Sequence, residues 1–257
     1  MLAESVSIYV ISLETAHDRR EYISRNLGAL NVSFSFVDGT TPLELPPNKQ
    51  NSAIAIWDSH IKVMKLFLNT QAQFACIFED DIDLAEFKDA KQNFFENIYH
   101  VAKLIPQGYS ILQLGTVSFK RRNLLFVALR EIYLLWHGHY RFDALPQRNL
   151  VSRLGEENYS ILNRKITVLT QFKSKVVEGF CTGMQAYIVD RSGAEYLVQN
   201  YLEKRDWDSS SRFSMDTFLE SESRNSKTPS AIRTIRLSKQ LFAQRRIPST
   251  NTYFPSI

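Results

Sequence analysis

Residues 6–13, VSIYVISL, form a β-rich run with almost no polar position on which two faces could alternate. A strand of that kind is covered on both sides, as strands are in a mainly parallel sheet held between helical layers. The expectation is a central strand of an α/β fold. The surrounding MLAESVSIYVISL has no basic n-region and no small-residue cleavage site, so it reads as a core strand and not as a signal peptide.

The segments that follow alternate helix and strand. ETAHDRREYISRNLGALN offers Asp18 in a first turn, Tyr22, Ile23, Leu27 and Leu30 at helical spacing, and Asn31 as a stop. VSFSFVDGT alternates through Val32, Phe34 and Phe36 and closes on the turn pair Asp38-Gly39. NSAIAIWDSHIKVMKLFLNT sets Ile54, Trp57, Ile61, Met64 and Leu68 on one stripe, with Asn51 or Ser52 as N-cap. His60 lies beside that stripe, where spacing alone favours a hydrogen-bonded core residue over a ligand. FACIFE and YSILQLGT read as further strands, the second ending at Gly115. This alternation predicts a parallel-type α/β sheet over the first 116 residues. Further on, the pattern predicts a strand over 184–189, a turn at Asp190, a helix burying Ala194, Leu197, Val198 and Tyr201, and a tail of loop with one short helix around Lys239.

The strand FACIFE runs directly into Glu79, Asp80 and Asp81. Three adjacent carboxylates repel one another and need solvent, cations or a metal ion. A solvated turn is the plain reading. Placement argues for more, because ligands of open α/β sheets gather beyond the carboxyl ends of the strands, where Asp38, the acidic triplet and Gly115-Thr116 would all fall.

Composition narrows the class. With 257 residues, 44% hydrophobic and 23% charged, the chain has ample material for a core and is not a disordered protein. Cys76 and Cys181 lie in or beside apolar runs and form neither a disulfide framework nor a zinc spacing, and His137 and His139 lack neighbouring acids or cysteines. A reducing cytosol is the default compartment. The longest other apolar run, LLFVALREIYLLW, is broken by Arg130 and Glu131 and is too short to span a bilayer. Residues 118–175 carry 11 Lys or Arg against 4 Asp or Glu, and residues 224–257 carry 7 against none. Such segregated charge fits an anionic partner, a phosphorylated glycan or a membrane surface, or simply solvated surface. No nucleic-acid-binding pattern organises it.

Four segments in order, IYVISLETAHDRR, the SH of AIWDSHIKVMKLF, IFEDDIDL, and CTGMQAYIVDRSGAEYL followed by SMDTFL, resemble glycosyltransferase family 25, which includes lipooligosaccharide galactosyltransferases and collagen-modifying relatives. The resemblance covers residues 6–84 and 178–219. It implies a GT-A-like nucleotide-sugar fold, a divalent metal (Mn²⁺ or Mg²⁺), and a UDP-sugar donor, most commonly UDP-galactose. The family usually has Asn where this chain has Ser12, which keeps a hydrogen-bonding group, and Gly-Cys where it has Ile56-Trp57. Glu79 and Asp81 have the spacing of the DxD-type motif they resemble, and in an extended segment their side chains would point the same way and converge on one ion. By the same resemblance Ser12, Arg19, Arg20, Asp38, Gly39, His60 and Asp80 are assigned to the nucleotide-sugar site, with Arg19 and Arg20 pairing either with phosphate or with the acidic loop. Asp216 matches the family's late Asp and is the expected general base, with a helix N-cap as the competing role. Glu178 is the other acid near that strand.

These readings combine into one glycosyltransferase domain over 1–257, with a basic insertion at 118–175 and a basic tail at 224–257. The expected activity is metal-dependent, inverting transfer of a sugar, galactose by the resemblance, from a UDP-sugar to a glycan or glycolipid acceptor such as lipooligosaccharide core, in the cytosol and peripheral to the inner membrane. The alternatives are a non-catalytic nucleotide- or glycan-binding protein and a metal-dependent phosphoryl hydrolase.

Overall fold

A computed structural model describes residues 3–115, 146–179, 184–203, 219 and 232–245. Among the described residues seven strands, β1 (Ala3–Ser12), β2 (Ser35–Asp38), β3 (Ala72–Glu79), β4 (Ile111–Gly115), β5 (Val176–Glu178), β6 (Ala186–Asp190) and β7 (Thr234–Leu237), make one sheet in the order β2-β1-β3-β6-β4-β7-β5. Strands β2, β1 and β3 are mutually parallel, β4 and β7 are parallel, and β6 and β5 run the other way. The sheet is mixed, with five of the seven strands in one direction, compatible with the expected GT-A-like fold. The described helices are α1 (His17–Ala29), α2 (Ser52–Leu68), α3 (Lys88–Glu96), α4 (Ile98–Ala102), α5 (Pro146–Leu154), α6 (Glu156–Thr170) and α7 (Arg191–Glu203).

The period of two along each strand sorts the core into two layers. Val10, Cys76, Phe78, Leu112, Leu114 and Ile188 face one side, where Ile23 and Leu27 of α1, Phe94 of α3 and Ile166 of α6 cover them. Tyr9, Ile11, Ala75, Ile77, Tyr187 and Val189 face the other, under Trp57, Ile61, Met64 and Phe67 of α2 and Leu197 of α7. Both faces of the central strands are therefore dry, the physical reason for their unbroken apolar runs. Asn51 caps α2, accepting a hydrogen bond from the Ala53 amide at 2.7 Å.

Several expectations need correction. The tail does not form a helix at Lys239. Residues 234–237 are an interior strand between β4 and β5, because Thr234, Ile235 and Leu237 are buried while Arg236 between them hides the period. Asp190 is not a separate turn. It ends β6 and caps α7, its Oδ1 accepting from the Gly193 amide at 2.7 Å. The second strand is only Ser35–Asp38, with Val37 buried on the α2 side and Phe34 and Phe36 partly buried on the other. Within 118–175, the described part contains α5 and α6, whose Leu150, Leu162 and Ile166 belong to the core. No described helix is long and apolar enough to cross a membrane.

Candidate functional site

Because β1, β2, β3 and β4 are parallel, Ser12, Asp38, Glu79 and Gly115 end at one edge of the sheet. The register pairs Ser12 with Asp38 and Ile11 with Glu79, so Asp38 and Glu79 flank the end of β1 on either side. The chain leaves β1 through Leu13 and turns into α1, and this brings Arg19 and Arg20 back over the strand end.

The two arginines do different work. Arg20 donates from Nε to the Leu13 carbonyl at 3.1 Å and from Nη2 to the Ser12 carbonyl at 2.9 Å, pairs with Asp38, and stacks on Phe36 at 4.9 Å. It fastens the ends of β1 and β2 together. Arg19 instead reaches the acidic loop, with Nη1 at 2.9 Å from Asp80 Oδ1. The other oxygen of Asp80 accepts from Ser12 Oγ at 2.6 Å. Asp80 is 5% exposed, and although Ser12 and Arg19 favour its anion, burial outweighs them and raises its pKa. Gly39 donates to the Ser12 carbonyl at 3.0 Å, and Thr40 hydrogen-bonds Asp58 and Ser59 of α2, which pins the turn after β2.

β3 stops at Glu79, and Asp80 and Asp81 form a turn, so the extended geometry expected from spacing does not hold. Glu79 turns toward α2, where His60 Nε2 lies 3.4 Å from its Oε1. His60 is 1% exposed, and its Nδ1 is 2.9 Å from the Tyr187 hydroxyl. Burial first, then the charges of Asp81 and Asp80, push Glu79 up to about 8. Asp81 points toward the C-terminal segment: its Oδ2 accepts from Gln244 Nε2 at 2.6 Å, and its buried Oδ1 has no hydrogen-bond partner among the described residues. Burial also raises Asp81.

Sequence reasoning missed Tyr187, Gln185 and Gln244. The backbone carbonyl of Gln185 accepts the Glu79 amide, 2.9 Å away, and the residue's own buried Oε1 has no partner among the described residues. Buried polar residues inside the apolar run QAYIV were the available signal for the first two. Nothing in the sequence pointed to Gln244. Asp216, His137, His139 and Cys181 lie outside the described residues. Glu178 ends the antiparallel β5 and therefore lies at the opposite edge of the sheet, with Arg153 Nε 3.4 Å from it. Glu178 cannot serve as the fallback base from there.

Residues 5–219 match the profile of glycosyltransferase family 25, described as an LPS biosynthesis protein. The chain belongs to this family. The matched span contains the β1 end, the SH pair of α2, and the acidic loop, and it stops short of β7 and Gln244. The chain is also similar to a Haemophilus influenzae protein named "Putative glycosyltransferase", at 34% identity over 119 residues. That similarity covers 39% of this chain and 42% of the relative's length.

Proposed function

We propose that this family 25 protein is an inverting, metal-dependent glycosyltransferase that moves a sugar, galactose in the first instance, from a UDP-sugar to a glycan or glycolipid acceptor such as the lipopolysaccharide core. The observation that carries the reading is the acidic loop at the carboxyl edge of the sheet. There Asp80 is satisfied by Ser12 and Arg19, while Glu79 and Asp81 are crowded carboxylates and the buried Asp81 Oδ1 has no partner among the described residues.

That donor set suits a hard divalent ion. Mn²⁺ or Mg²⁺ takes oxygen ligands and commonly uses one or two carboxylates, completing its shell with substrate phosphates and water. No group of three or more ligand side chains is gathered among the described residues, so a donor's diphosphate and water would have to complete the shell of an ion held here. Asp81 would hold it, joined by Glu79 once that carboxylate turns from His60, and the ion would supply stabilisation of the charge that develops on the leaving UDP. The remaining roles belong to the chain. Asp80 keeps Arg19 at the strand end, Asp38 ends and Gly39 follows the strand beside which a nucleoside would lie, and His60 with Tyr187 orients Glu79. Asp216 is proposed as the base that takes the acceptor proton.

The test is release of UDP in the presence of Mn²⁺ and a core oligosaccharide. Transfer predicts release that requires both. Release without acceptor identifies a hydrolase, and binding without release identifies a non-catalytic nucleotide-binding protein. Asp216→Asn is expected to keep donor affinity and melting temperature while turnover falls roughly 10²- to 10⁴-fold. Near-normal turnover would exclude Asp216 as base.

A further inference from the structure

The segment 241–245 lies beyond the family-matched residues, yet it forms a strap across the acidic loop. The Leu241 and Phe242 amides donate to the Leu114 carbonyl at 3.0 and 3.4 Å. Phe242 packs among Phe78, Phe94 and Phe95. From there the strap runs antiparallel to the acidic loop. The Asp83 amide donates to the Ala243 carbonyl at 2.7 Å, the Arg245 amide donates to the Asp81 carbonyl at 2.5 Å, and Ile82 pairs with Gln244 in an isolated antiparallel bridge. The Arg245 guanidinium lies 3.7 Å from the Tyr22 ring centre, and the Tyr22 hydroxyl accepts the Leu84 amide at 3.0 Å. The loop is thus held by the strap on one side and by α1 on the other.

Among the strap's own described side chains, Gln244 touches a carboxylate of the triplet. Gln244 donates its amide to Asp81 Oδ2 at 2.6 Å and leaves Oδ1 without a partner among the described residues. A neutral amide suits such a position. It fixes the carboxylate plane and satisfies one oxygen without cancelling the negative charge, whereas a lysine at that point would neutralise the group and repel a cation.

We infer that Gln244 is a positioning residue, orienting Asp81 so that its free oxygen is presented to a divalent cation, and that this chain completes its site with a C-terminal strap outside the family-matched region. The inference rests on the proposed metal role of Asp81.

Calorimetric titration of the full chain with Mn²⁺ alone tests it, on the parent and on Gln244→Leu, Phe242→Leu and Asp81→Asn, with thermal melting of each. Gln244→Leu keeps the side chain's bulk and loses the donor, so Mn²⁺ affinity should fall by about 10- to 100-fold, in the range measured for groups that orient metal ligands, with little change in melting temperature. Phe242→Leu trims buried packing at the strap's anchor without touching a carboxylate or Gln244, and should lower the melting temperature while the folded protein keeps its Mn²⁺ affinity. Loss of Mn²⁺ by Asp81→Asn with full retention by Gln244→Leu would overturn the role of Gln244 alone. A fall in Gln244→Leu that only tracks unfolding would reduce Gln244 to a structural part of the strap and also overturn it. Undiminished Mn²⁺ binding by Asp81→Asn would remove the metal reading itself, and this inference with it.

Discussion

Ser12 and Lys91 show how single buried polar groups set the properties of this protein. Ser12, 2% exposed, gives Asp80 a hydroxyl donor at 2.6 Å. Ser12→Ala would strand a buried carboxylate oxygen, and such a loss costs about 1–3 kcal/mol. Chemical denaturation should show that decrease, and an unchanged midpoint would mean that Arg19 alone suffices. Lys91 is fully buried, donates to the Glu86 carbonyl, and lies 5.6 Å from the Phe242 ring centre. Burial pulls its pKa down from 10.5 to about 8, against the opposing pull of Asp83 and Glu86. Because the folded pKa is the lower one, the folded state binds fewer protons than the unfolded state between those values. Lys91 therefore weakens the fold below about pH 8 and less so as pH rises toward 10.5. The stability of Lys91→Met relative to the parent should thus be highest near neutrality and drop by roughly 2 kcal/mol between pH 8 and 10, at about 1.4 kcal/mol per unit. A difference independent of pH over that range would show that folding leaves the Lys91 pKa at its ordinary value. Of these residues the sequence identified Ser12 only through its place in a resembling motif. Buried charge such as Lys91 is invisible to pattern, because a lysine in KDAKQNFFE reads as solvated helix surface.

Among the elements, the end of β4 and the start of α7 each depend on one local arrangement. At Gly115 a Cβ would stand 2.0 Å from the Phe242 carbonyl oxygen, a backbone atom that can move only with the strap. Gly115→Ala should therefore displace 241–245 and cost at least the 1–3 kcal/mol typical of overpacking. The strap should become more sensitive to limited proteolysis than in the parent, and equal protection would show that the carbonyl yields freely. At α7, Asp190→Ala removes a cap and should cost about 1 kcal/mol, whereas Asp190→Asn should be nearly neutral. A comparable loss in both variants would point to the carboxylate charge and not to the cap. The helices and strands of the first 115 residues were legible because their periods are local: Ile23 and Leu27 in α1, and Trp57, Ile61 and Met64 in α2, occupy the buried faces that spacing assigned to them. The strand β7 was not legible. Its identity depends on β4 and β5, which lie far away in the chain, and its alternating arginine made it look like a polar tail.

At the scale of the whole molecule, charge and ligand binding give the tests that do not depend on one residue. The basic stretches 118–175 and 224–257 should hold the protein on anionic vesicles, at roughly 1 kcal/mol per basic residue near the surface, and release it as salt rises. Equal sedimentation with neutral vesicles would assign that charge to solubility. A UDP-sugar with Mn²⁺ at 100 times its dissociation constant should stabilise the fold by about 2.7 kcal/mol, and neither component alone should do as much. The linear chain determined the class of fold, the direction of its first strands and hence the edge at which Asp38 and the acidic triplet meet. These follow from local periodicity and from the rule that helical crossovers make neighbouring strands parallel. Tertiary structure alone decided which carboxylate is satisfied by Ser12 and Arg19, which one His60 meets, and that Gln244 closes over Asp81. Those partners are separated in sequence by up to 163 residues, and only burial in a shared, low-dielectric edge makes their pairing worth more than hydration.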